Sequence, residues 1–118
     1  MLVFTPSKDT DTIAMEFDGQ ATKEDLIKFD KVVEEKFGEK GNFNIYMVVY
    51  DFDGGTVKAM LEEMKIDVKR WSQYQKLAVV SDKSLLESMT ELSGFLPGIK
   101  AKHFDMDEME TAWEWIKS

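Results

Sequence analysis

Phe43-Asn44-Ile45-Tyr46-Met47-Val48-Val49-Tyr50-Asp51-Phe52 is the stretch that decides the fold. From Ile45 to Tyr50 no charged residue interrupts it, so both faces of an extended chain are apolar there. A strand with one wet face alternates; a strand apolar on both faces lies inside a sheet that is covered on both sides. Asp51, Asp53, Gly54 and Gly55 stop the run. Leu77-Ala78-Val79-Val80 repeats the signal more briefly and ends at Ser81-Asp82.

Working toward the N-terminus, Leu2 to Thr5 is a short β-prone segment closed by Pro6. Thr12 to Asp18 alternates, with Ile13, Met15 and Phe17 on one side and Thr12, Ala14 and Glu16 on the other, the pattern of a half-buried strand. The polar Lys8-Asp9-Thr10-Asp11 turn pairs these two as a hairpin, which makes the first strand antiparallel. Thr22-x-x-Asp25 reads as a capping box opening a helix, Leu26, Phe29, Val33 and Phe37 form its inner face, and Gly38 and Gly41 end it.

Working toward the C-terminus, Val57, Met60, Leu61 and Met64 have the spacing of an amphipathic helix. Val68 and Trp71 share one face of a second short helix within 66–74, and Leu85, Leu86, Met89 and Leu92 describe a further one closed by Gly94. Residues 99–104 form the last strand, and Asp105-x-x-Glu108 caps a final helix with Met109, Trp113 and Ile116 inward. Strands alternating with helices imply a mostly parallel sheet, because parallel neighbours need a long crossover. The expected architecture is α/β: one mostly parallel sheet of about five strands, the first antiparallel, with helices packed against it, and one domain over 1–118.

The composition agrees. The chain has 118 residues, 43% hydrophobic and 32% charged, which is enough for one core. With no cysteine, thiol nucleophiles, disulfides and thiolate metal sites are excluded. A net charge of −8 repels a phosphate backbone, so nucleic acid is not an expected partner. No segment approaches the ~20 apolar residues of a membrane span, and the N-terminal apolar run is too short for a signal peptide, so the expected location is cytoplasmic.

Three stretches give the chain a resemblance to a known family: Asp18-Gly19-Gln20-Ala21-Thr22-Lys23-Glu24-Asp25, Leu77-Ala78-Val79-Val80-Ser81-Asp82, and His103-Phe104-Asp105 with Ala112-Trp113-Glu114-Trp115-Ile116. In this order of elements they resemble the STAS superfamily, in its stand-alone branch of sporulation anti-sigma-factor-antagonist-like proteins, related in fold to the lipid-transfer CRAL-TRIO domain. The resemblance implies a regulatory or binding module without a cofactor. It also implies a phosphorylatable serine between the third strand and the next helix. Here Asp53 occupies that place and Thr56 is the nearest hydroxyl, a departure from kinase-controlled partner switching.

The loop Asp51, Asp53, Gly54, Gly55 and Thr56 is the most site-like segment, since ligands of open α/β sheets bind at the carboxyl ends of strands. Asp82, ending the next strand, is expected beside it. Three carboxylates suit Mg²⁺ or Ca²⁺, although a capped, solvated turn needs no ion, and no metal or cofactor is assigned. Met60, Met64 and Trp71 form an adaptable apolar surface after the loop, which core packing explains equally. The expected occupant is a protein partner or a small apolar ligand, and a homodimer is possible.

Two alternatives belong to other classes. Asp51-Phe52-Asp53-Gly54-Gly55-Thr56 looks like the first motif of haloacid-dehalogenase phosphatases, with Ser81 in the place of the second, which would make Asp51 and Asp53 a Mg²⁺-dependent catalytic pair; Gly55 shifts Thr56 out of register. A lipid or apolar-ligand carrier is the other. His103, the single histidine, has no serine or cysteine partner by sequence position and reads as structural. Trp115 falls off the inner face of its helix and, if exposed, marks a contact with another chain.

Overall fold

The computed structural model describes residues 2–18, 22–38, 41–50, 73–82 and 98–118. The helices expected over 57–64 and 85–92, and residues 66–72 of the short one expected over 66–74, lie outside the described residues. Among the described residues five strands form one sheet in sequential order: β1 (Leu2–Thr5), β2 (Thr12–Asp18), β3 (Phe43–Tyr50), β4 (Tyr74–Val80) and β5 (Lys100–Phe104). β1 is antiparallel to β2, and the remaining neighbours are parallel, as expected. Helix α1 (Lys23–Phe37) crosses from β2 to β3, and helix α2 (Met109–Lys117) follows β5 after a 3-10 turn at Met106–Glu108.

Side chains alternate across the sheet because the strand period is two. Ile13, Met15, Phe17, Ile45, Met47, Val49, Leu77 and Val79 pack in one cluster with Phe29 and Val33 of α1. Ala14, Tyr46, Val48, Ala78, Val80 and Phe104 pack in the other with Ala112, Trp113 and Ile116 of α2. β3 is therefore covered on both faces, as its sequence requires, and only Tyr50 at its end is exposed. β2 departs from the half-buried reading. Thr12 and Ala14 are buried as well, because β2 lies between two strands and Ala14 joins the α2-side cluster.

Local chemistry sets the element ends. Asp9 closes the first hairpin by accepting from the Asp11 amide at 3.1 Å and the Thr12 hydroxyl at 2.6 Å. The Thr22 hydroxyl accepts from the Asp25 amide at 3.2 Å, and the Asp25 carboxylate accepts from the Thr22 amide at 3.0 Å, the reciprocal cap that the sequence signals. Gly38 ends α1 at φ 64°, a conformation that side chains disfavour. β4 begins at Tyr74, three residues before the apolar run and inside the segment read as helical. Long-range contacts decide this. Tyr74 pairs with Phe43 in the ladder and the Gln73 carbonyl accepts from the Phe43 amide at 2.9 Å. The register shifts between Phe43 and Ile45, where the Asn44 side-chain oxygen takes the Lys76 amide at 3.1 Å.

Candidate functional site

Four parallel strands bring their carboxyl ends to one edge. Asp18 lies opposite Tyr50, Val48 opposite Val80, and Val80 opposite Phe104. Continuing the β3–β4 register by two residues puts Asp82 level with Tyr50, on strands that in any sheet run about 4.8 Å apart. β3 thus ends at Tyr50 on the rim where exposed Asp82 follows β4. Asp51, Asp53, Gly54, Gly55, Thr56, Met60, Met64 and Trp71 themselves lie outside the described residues.

The rim contains one pair that sequence position did not reveal. The Ser81 side chain approaches His103 Nε2 at 2.8 Å, and its hydroxyl donates to the Asp82 carbonyl at 3.0 Å. The hydroxyl and the imidazole are thus within hydrogen-bond reach, with the direction of that bond set by the His103 tautomer. Ser81 is fully buried. The arrangement ties the ends of β4 and β5 together, reinforced by the Ser81 amide donating to the Phe104 carbonyl at 3.0 Å. It corrects the reading of His103 as lacking a serine partner.

Past β5, carboxylate oxygens of Asp105, Asp107 and Glu108 lie within 4.8 Å of one another. Glu108 accepts from the Asp105 amide at 2.9 Å, so part of this group is a cap for the turn into α2, where negative charge complements the helix dipole. Exposed Asp18 and Asp82 lie at the ends of β2 and β4 on the same rim.

Trp115 is half-buried rather than a free contact. Its ring lies 5.8 Å from Phe104, and Lys76 Nζ sits 5.4 Å from it. The inner face of α2 is therefore wider than Met109, Trp113 and Ile116. The same Nζ donates to the carbonyls of Trp115 at 2.9 Å and Ser118 at 2.7 Å, closing the helix C-terminus. Tyr46 stacks on Trp113 with ring centroids 4.3 Å apart. Burial raises the Tyr46 pKa above 10.0, and Tyr50 and Glu16 add to the effect, against a hydrogen bond with Trp113 that lowers it. Among the described residues no helix is long and apolar enough to cross a membrane.

Residues 12–117, from the first residue of β2 to the last of α2, match the family model described as SpoIIAA-like. No curated protein and no solved structure matches the chain. The chain belongs to the SpoIIAA-like family, which bears out the STAS-like resemblance and fits a regulatory binding module in general.

Proposed function

We propose that this SpoIIAA-like chain is a cytoplasmic, non-catalytic regulatory module that engages a protein partner at the carboxyl edge of its sheet. The contact surface is the loop of Asp51, Asp53, Gly54, Gly55 and Thr56, the segment carrying Met60, Met64 and Trp71, and Asp82 on the neighbouring strand end. The observation that supports it is the parallel register of β3 and β4, which leads the chain out at Tyr50 beside Asp82. The carboxylates of Asp105, Asp107 and Glu108 beyond β5 favour a partner surface that carries Lys and Arg. The methionines adapt to the partner's apolar centre.

The test is a pull-down at low salt with wild type, Asp53→Arg and Asp82→Arg as immobilised baits. Both reversals should lose the proteins that wild type retains. Equal recovery by both variants refutes the site. A small molecule retained in native mass spectrometry, with no protein captured, would transfer the surface to an apolar ligand.

A further inference from the structure

The two edges of the sheet differ in a way that the carboxyl-rim site does not use. β5 carries exposed Lys100 and Lys102, and charges on an edge strand discourage a second strand from pairing with it. β1, at the other edge, reads Leu-Val-Phe-Thr and carries no charge. Val3 is 43% exposed on it. Beside β1 runs an open groove of about 480 Å³, lined by Leu2, Val3 and Phe4 from the strand and by Lys28, Lys31, Val32 and Glu35 from α1. These helix residues follow the i, i+3, i+4, i+7 spacing, so they form one stripe next to the buried stripe of Phe29 and Val33.

We propose that this groove is a homodimer interface, in which β1 pairs antiparallel with β1 of a second copy and the Lys28–Glu35 stripes of the two α1 helices meet above the joint. The charge pattern selects this occupant. α1 is the crossover between parallel β2 and β3, so it runs opposite to β2 and along β1. A twofold axis perpendicular to the sheet reverses both elements in the copy, keeping the α1 helices on one face. The groove is centred on Val3 in the strand and between Lys31 and Val32 in the helix. An axis there sets Lys28 against the partner subunit's Glu35, twice by symmetry, and Lys31 beside the partner subunit's Val32. A patch that is complementary to itself is what an isologous interface requires. A uniformly acidic peptide would meet Glu35 in the same groove and a basic one would meet both lysines.

The strand joint is short, so the dimer belongs to the small, weak class, with a dissociation constant on the order of micromolar. Sedimentation equilibrium of the full chain tests it, at about 0.15 M salt, where the screening length of ~8 Å suppresses the long-range repulsion between two acidic copies. The wild-type mass should rise with concentration from 13.6 kDa toward twice that value. Lys28→Glu and Glu35→Lys each convert both symmetric pairs to like charges and should weaken association on the order of tenfold or more. Both positions are exposed, so the fold is kept, which circular dichroism verifies. An equimolar mixture of the two variants recreates opposite charges at both contacts and should recover the dimer. A wild type that stays at 13.6 kDa up to hundreds of micromolar, reversals without effect, or a mixture that fails to associate overturns the proposal. Asp53→Arg and Asp82→Arg should dimerise as wild type does, which separates this interface from the carboxyl-rim site.

Discussion

Asp25→Ala should be among the most damaging single substitutions in α1, and its cost can be built from the contacts. Asp25 is 6% exposed. Its carboxylate accepts the Thr22 amide at 3.0 Å and also the Leu2 amide, so one side chain caps α1 and fastens β1 to it. Losing an N-terminal cap costs about 1 kcal/mol. Losing the charged acceptor of the Leu2 amide costs about 1–2 kcal/mol more. The sum of about 2–3 kcal/mol is large for a domain whose total is typically about 5–15 kcal/mol. With a urea slope of about 2 kcal/mol per molar, the unfolding midpoint should fall by about 1–1.5 M.

The pH dependence gives an independent reading. Burial pushes the Asp25 pKa up, but hydrogen bonds from the Leu2 backbone and from the backbone and side chain of Thr22 outweigh it and leave the value below 3.8. A carboxylate with a depressed folded pKa contributes stability that is present above its unfolded value and lost as pH falls through the folded one. The wild type should therefore lose this contribution only below about pH 3.8. Asp25→Asn keeps an oxygen acceptor but binds no proton, so it should cost about 1 kcal/mol at neutral pH and show a shallower acid decline. An Asp25→Ala midpoint within about 0.25 M of wild type, or an Asp25→Asn acid curve parallel to wild type, would refute the reasoning.

Gly41→Ala should destabilise by about 1–3 kcal/mol in thermal or urea melts, because an added Cβ would stand 2.5 Å from the Phe37 carbonyl oxygen, which is backbone and cannot swing away. Lys76→Met keeps the apolar stem but removes the donor to the Trp115 and Ser118 carbonyls, and should cost about 1–2 kcal/mol and speed amide exchange in the last turn of α2. Tyr46→Phe should cost about 1 kcal/mol near neutral pH through the lost Trp113 bond. It should also flatten the alkaline limb of the stability curve: the raised Tyr46 pKa means a contribution present below pH 10.0 and lost as pH climbs through the folded value.

What the sequence made legible was local in origin. The uninterrupted run in Phe43–Tyr50, the alternation of Thr12–Asp18 and the Thr22-x-x-Asp25 cap each state their structure within a few residues. The start of β4 did not, since Tyr74-Gln75-Lys76 is polar enough to pass for a helix end until Phe43 and Asn44 pair with it. Ser81 and His103 are separated by 22 positions, and only the β4–β5 register, with Val79 opposite His103, brings them together. Reading that register from two parallel strands of unlike length would have found the pair. The groove beside β1 was equally hidden. Lys28, Lys31, Val32 and Glu35 look like an ordinary solvated helix face until β1 is placed next to them.

The two proposed surfaces are compatible in a way that bears on function. β1 runs opposite to the other four strands, and a twofold axis beside it, perpendicular to the sheet, reverses every strand direction in the copy. The acidic carboxyl rims would then lie at opposite ends of a continuous ten-stranded sheet, both facing solvent and neither occluded by the joint. Such a dimer would present its contact loops twice, pointing apart, and could hold two partners or bridge two sites on an extended one. In the bridging case the second contact is intramolecular, and overall affinity rises by about 10²–10⁴ without any new residue touching the partner. The same Lys28→Glu change that weakens the dimer would then reduce partner capture while leaving the rim chemistry intact. Asp82→Arg would do the reverse, abolishing capture in a protein that still dimerises.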